Sequence, residues 1–341
     1  MTLAEAFRDQ AESCDRLGSP FTARLMRLLA DRLGPGHGAV AARLHAWPGD
    51  PSSRRHSLPL RLAGGLHALA RGGRAGLAAA YPPNASDDGA LWAAVDAALG
   101  SEAAFLLAWA ESAPQTNEVG RSAAFRAAAH VIHARHPLPM RWMELGASAG
   151  LNLHWPRYAL AGDGWRRGPA APALTLRPRW TGPPPPAGEP AVADVRGVDL
   201  APVEDGDRLL AYIWPDQTER LARAEAALRL PRAPVDRGDA GAWVERRLAA
   251  PPAPGTSRVV AHSVAWQYFP EATADRARRA IEAAGGAATD DAPLAWVSME
   301  ADGGGDGAAL TLRLWPGGEP EPLARVDFHG RWVAWRGPDA S

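Results

Sequence analysis

In WMELGASAGLNL, residues 142–153, an acid is followed by glycines and small residues that open into a Leu/Asn run. If RWMEL is a strand and SAGLNL turns into a helix, Glu144, Gly146, Ser148 and Gly150 fall at the strand's carboxyl end. Ligands of open α/β sheets bind at that edge, and glycine lets backbone pass against a ligand where a Cβ would collide. The same spacing also suits a helix packed closely on a strand. Two more acids follow strand-like runs: Asp216 in LLAYIWPDQTER and Asp239 in VDRGDAG. A carboxylate can accept two hydroxyl hydrogen bonds, which suits Asp216 to a ribose diol, and the later Asp239 to the exocyclic amine of an adenine.

Candidates for substrate chemistry lie in three further places. VVAHSVAWQYFP puts His262, Ser263, Trp266, Gln267 and Tyr268 at or beyond the end of a strand. An imidazole takes up a proton near neutral pH, so His262 is the candidate general base, with Glu300 after PLAWVSM as the alternative. The plain alternative is a histidine that caps the strand and aromatic rings that fill the core. APQTNEVGRSAAF offers Gln115, Asn117, Glu118 and Arg121 as a substrate-side wall, although Thr116 or Asn117 could simply cap a helix. His130, His133 and His136 recur at three-residue spacing, yet on a helix they spread beyond one narrow face and no carboxylate lies at ligand spacing, so no metal site is assigned. Ser148 matches G-x-S-x-G without an Asp/His pair in hydrolase order, which leaves a serine hydrolase as an inferior reading.

The elements that must carry these groups change character along the chain. Up to about residue 140, segments such as FTARLMRLLADRLG, LPLRLAGGLHALAR, GALWAAVDAALG and EVGRSAAFRAAAHVIHARH have helical periodicity, each bounded by Gly or Pro. This predicts an all-helical domain over residues 1–140. From Arg141 onward RWMEL, RLLAYIW, APVDRGD, SRVVAHSV, APLAWVSME, AALTLRLWP and LARVDFHGRWVAWR read as strands, several separated by the helical runs TERLARAEAAL, AGAWVERRLAA and ATADRARRAIEAA. Such alternation predicts a parallel sheet covered on both faces, here over residues 141–341 and ending in an antiparallel hairpin around PGGEPEP. The proline-rich residues 155–207 read as an irregular surface insertion.

Composition removes several chemistries. The 341 residues contain no lysine, which excludes Schiff-base catalysis and a P-loop, and Cys14 alone excludes disulfides and dithiol redox chemistry. A net charge of -1 supplies no bulk attraction to nucleic acid or a membrane surface. No apolar leader and no run of about 18 apolar residues is present, so a cytoplasmic location is expected. The oligomeric state is not readable.

The order of glycine turn, acid, acid and polar strand end resembles S-adenosylmethionine-dependent methyltransferases over residues 141–336. The resemblance implies an α/β Rossmann-like sheet, S-adenosylmethionine as cofactor and a small-molecule acceptor. It implies that Glu144, Gly146, Ser148 and Gly150 hold the methionine end, Asp216 the ribose and Asp239 the adenine, with His262 or Glu300 at the acceptor. The chain departs from that pattern by Ser148 in place of a third glycine and by ADGGGDGA where a helix is expected. Across nearly its full length, SPFTARLMRLLADRL, LPLRLAGGLHALA, QTNEVGRSA, ELGASAGLNL, WPDQTERLARAEAAL, HSVAWQYFP, PLAWVSMEADG and LWPGG together resemble the bacterial domain-of-unknown-function family 2332. A nucleotide-binding protein that has lost catalysis is the second reading.

Overall fold

The computed structural model describes residues 1–74 and 76–338. They divide into two compact units, Met1–Thr116 with Asp205–Ala222, and Asn117–Glu204 with the chain from Arg223 onward. The boundary expected at residue 140 thus lies at 116, and a segment read as part of the sheet domain returns to the helical unit.

The helical unit contains α1 (Leu3–Arg16), α2 (Pro20–Arg32), α3 (Gly38–His45), α4 (Leu58–Arg71), α5 (Leu77–Ala80), α6 (Asp88–Ser101) and α7 (Ala103–Ala110). Its first helix starts at a reciprocal cap in which Thr2 and Glu5 each accept the other's backbone N–H. Phe7, Leu25, Met26, Leu29, Leu58, Leu62 and Leu66 form the core of the bundle. Two adjacent glycines inside α4 would each weaken a free helix by about 1 kcal/mol. Here they permit contact: a Cβ on Gly64 would lie 2.5 Å from the Tyr212 ring, and one on Gly65 2.9 Å from Leu106.

Tyr212 belongs to the returning segment. RLLAYIW, expected as a strand, is mostly α9 (Gly206–Ala211), because the Asp205 carboxylate accepts the N–H groups of Asp207 and Arg208 and so starts a helix. Asp216 is therefore not at a strand end. Its carboxylate accepts the Phe21 N–H at 2.8 Å and the Ser19 hydroxyl, which caps α2, while Gln217 Nε2 donates to the Leu17 carbonyl at 3.0 Å. The ribose role given to Asp216 is corrected accordingly.

In the second unit α8 (Ser122–Arg135) precedes β1 (Met140–Leu145), and then β2 (Tyr158–Gly162), β3 (Trp165–Arg167), β4 (Leu174–Leu176), β5 (Arg179–Thr181) and β6 (Val192–Asp199) follow. After α10 (Thr218–Leu228), in which the chain re-enters this unit, come β7 (Val235–Arg237), α11 (Ala240–Leu248), β8 (Ser257–Ser263), α12 (Glu271–Gly286) and β9 (Leu294–Glu300). The end is a meander of β10 (Ala308–Trp315), β11 (Pro320–Val326) and β12 (Trp332–Trp335). The nine-stranded sheet has the order β5-β12-β11-β10-β9-β8-β1-β6-β7. Its members from β7 to β9 are parallel, and β10 to β12 are antiparallel to their preceding neighbours. The α/β class and the β10–β11 hairpin are as expected, but the sheet continues past the hairpin.

The residues 155–207 are not an irregular insertion. They supply a small sheet of order β3-β2-β4, the edge strand β5, and β6, which lies directly beside β1. The prolines of this segment all lie outside these strands, where no ladder hydrogen bond is lost. Every residue of β8 is buried, as in a strand covered on both sides. Trp243, Val244 and Leu248 of α11 and Ala277 and Ile281 of α12 pack with Met143, Leu145 and Val260 on one face. Across the sheet Phe125 of α8 meets Trp142, with ring centroids 5.4 Å apart. No single helix among the described residues is long and apolar enough to cross a membrane.

The Asp216 cap predicts that Asp216→Ala lowers the stability of the helical unit by about 1–2 kcal/mol. Urea unfolding followed by circular dichroism measures this, and an unchanged transition refutes the cap.

Candidate functional site

The five parallel strands run in the order β7-β6-β1-β8-β9, so their succession along the chain reverses between β1 and β8. A crevice opens at the carboxyl ends of strands at such a reversal. The loop after β1 lies there. Gly146, Ser148 and Gly150 have φ of 72°, 53° and 75°, left-handed values that disfavour Ser148. Hydrogen bonds hold the loop in this shape. The N–H groups of Gly146 and Ala147 both donate to the Val198 carbonyl, at 2.9 and 3.0 Å, and Ser148 N–H donates to Asp199 Oδ2 at 2.9 Å. Asn117 Oδ1 accepts Leu151 N–H at 2.7 Å.

The glycines answer first to the protein itself. A Cβ on Gly146 would lie 2.6 Å from that of Ala265, and one on Gly150 2.8 Å from Val235 Cγ2. Close approach of the loops after β1 and β8 is therefore what Gly146 secures, and Gly150 seats the loop beside β7.

Glu144 points to the α8 side and is 1% exposed. Burial pushes its carboxyl well above the ordinary range, against the pull of Arg121 and a hydrogen bond from Asn152. Asn152 is itself fixed by the Ser122 hydroxyl at 2.7 Å. Glu144 Oε2 and Ser148 Oγ are buried and hydrogen-bond to no described residue. The serine also lacks the histidine that a hydrolase nucleophile needs.

The other candidate pair sits on the opposite face, with α12. His262 Nδ1 donates to Glu300 Oε1 at 2.7 Å, because its Nε2 accepts Trp296 Nε1–H at 3.0 Å. Both ring nitrogens are thus engaged and the residue is 1% exposed, which is the arrangement of a core histidine and leaves no free nitrogen for a substrate. Glu300 Oε1 also accepts the N–H groups of Ala265 and Trp266, at 2.9 and 3.1 Å. Burial works to raise its carboxyl, but the His262 interaction first and then the Ala265 and Trp266 N–H groups outweigh it and hold the group below the ordinary carboxylate range.

The remaining candidates divide. Arg121 reaches the edge, donating to the carbonyls of Ser263 at 3.1 Å and Phe328 at 2.8 Å, and Glu118 accepts Gly120 N–H at 3.0 Å. Trp266 packs at a tilt of 33° against His262 with centroids 4.7 Å apart, while Gln267 and Tyr268 are exposed. Gln115 belongs to the helical unit. Asp239 follows β7 as foreseen, but its carboxylate caps α11 through Ala242 N–H at 2.8 Å and accepts the Thr273 hydroxyl, so its place is explained without an adenine. His130 is fully buried, and its pKa is lowered to about 3 by burial and then by Arg126 and Arg167.

Sequence reasoning missed Asp199. It closes β6 beside β1, and its two oxygens accept Ser148 N–H and, at 3.0 Å, Ala201 N–H. The available signal was the strand-like VADVRGVD ending in an acid, obscured by the surrounding prolines.

A profile of the family described as "Uncharacterized protein conserved in bacteria (DUF2332)" matches residues 4–335. No curated protein matches the chain.

Because Glu144 holds a proton in the folded state that it loses near its ordinary pKa of 4.5 when unfolded, the native state loses stability as pH rises from that value through the raised one. Glu144→Gln, neutral throughout, is expected to remove this decline. Denaturation midpoints of both proteins across pH 4–8 measure it, and parallel curves would show that Glu144 is already ionised.

Proposed function

Since the chain belongs to the bacterial family DUF2332, whose description names no reaction, function rests on the site, and we propose an S-adenosylmethionine-dependent methyltransferase acting on a small molecule. The observation that carries this reading is the E-x-G-x-S-x-G loop at the strand-order reversal, tied through Ser148 N–H to Asp199 at the end of the adjacent strand. That is the arrangement a nucleoside needs: a turn beside one part of the ligand and a carboxylate within reach of its ribose.

The residues fit such a cofactor. Glu144 Oε2 and Ser148 Oγ, both without a protein partner among the described residues, would meet the polar methionine end. Asp199 takes the ribose role in place of Asp216. When bound, the cofactor supplies an electrophilic methyl group. The protein aligns an acceptor with it and keeps water away. Glu300, across the loop contact between Gly146 and Ala265, is the group on the acceptor side, and His262 positions it. The engagement of both His262 nitrogens favours a second reading, a nucleotide-binding protein without turnover. A net charge of -1 agrees with a small-molecule substrate rather than nucleic acid, and a cytoplasmic enzyme is proposed.

Thermal denaturation tests the reading. S-adenosylmethionine and its demethylated product should each stabilise the protein, by about 2.7 kcal/mol at a hundredfold excess over Kd, whereas NAD should not. Asp199→Asn should weaken binding by about 1–3 kcal/mol and Asp216→Asn should leave it unchanged. Absence of stabilisation by either sulfur compound removes the proposal.

A further inference from the structure

We infer that the ligand on the acceptor side of this site is an amine, bound in its ammonium form by Glu300 Oε2; this deepens the methyltransferase reading and rests on the same edge of the sheet. Glu300 Oε1 collects three N–H donors, from His262, Ala265 and Trp266. Oε2 is buried and accepts from no described residue. The only ionisable partner within ion-pair distance among the described residues is His262, whose Nε2 is occupied as an acceptor of the Trp296 N–H. A ring with one N–H donor and one acceptor is neutral, so it supplies no counter-charge.

A largely buried carboxylate, its side chain 15% exposed, is costly without a cation, and proteins ordinarily provide one. Three N–H donors on one oxygen favour keeping the charge rather than discharging it by protonation. A bound ammonium answers both conditions, since it brings the charge and an N–H for the remaining oxygen. Trp266, whose N–H donates to Glu300, is followed two residues later by Tyr268, 74% exposed and among the few large hydrophobic side chains open to solvent. The sulfonium of the cofactor is also a cation. In the proposed arrangement Glu144 and Ser148 would meet the methionine end at the same sheet edge, and the Glu300→Gln variant distinguishes a carboxylate that serves the sulfonium from one that serves an amine.

The test compares matched ligands on the full chain by thermal shift and calorimetry: phenethylamine, cyclohexylamine and methylammonium, each against its alcohol, with and without S-adenosylmethionine. At least one amine should bind where its alcohol does not, and Glu300→Gln should weaken that amine roughly thirtyfold or more, as for removal of one partner of a buried charge pair. The same variant should keep its affinity for S-adenosylmethionine. If the amines bind no better than the alcohols, or bind the variant equally, the inference fails. It also fails if Glu300→Gln loses S-adenosylmethionine affinity and no amine binds, because the carboxylate then serves the sulfonium. Amine binding through Glu300 without any response to S-adenosylmethionine would retain the inference and remove the methyltransferase reading. Should Glu300→Gln not fold, the amine-against-alcohol contrast in the unaltered chain decides.

Discussion

Three residues at alternate positions, Gly146, Ser148 and Gly150, hold left-handed backbone, and the carboxyl edge of the sheet is arranged around that constraint. Such a conformation costs a serine about 1–2 kcal/mol. The end of β6 offsets this: the Val198 carbonyl accepts two loop N–H groups and the Asp199 carboxylate a third. Two neighbouring strands therefore fix one turn. The turn then sets its surroundings, because Gly146 in this shape lets Ala265 close on it, and Ala265 in turn presents its N–H to Glu300.

Two carboxyls at this edge are shifted in opposite directions by burial and by their donors. Glu144 has one amide partner and is pushed up by burial, whereas Glu300 has three N–H donors on one oxygen and is held below the ordinary carboxylate range. Two glutamates thus diverge through burial and hydrogen-bond count rather than residue type.

The sequence made some of this legible. SRVVAHS and RWMEL are apolar runs short enough to be strands, and they became the two central ones; the glycine turn fell at the end of β1 as expected. RLLAYIW misled because a six-residue helix is too short to display its period, and the decisive signal was the Asp205 cap before it. β6 was hidden by prolines on either side, so the acid sought after the second strand was placed at Asp216 instead of Asp199. The engagement of both His262 nitrogens depends on Trp296, 34 residues away, and no local pattern encodes a contact of that kind.

The helical unit is assembled from two stretches of chain, with Leu209, Leu210, Tyr212 and Ile213 of the later one buried in it. It is consequently not a prefix that recombination could add to or strip from a finished sheet domain. An exchange of the first 116 residues between relatives would carry only part of a core and leave its complement behind in the recipient. The two units are thus bound to be inherited together, and the segment from Asp205 to Ala222 must change in step with α2 and α4 rather than with the strands that flank it in the chain.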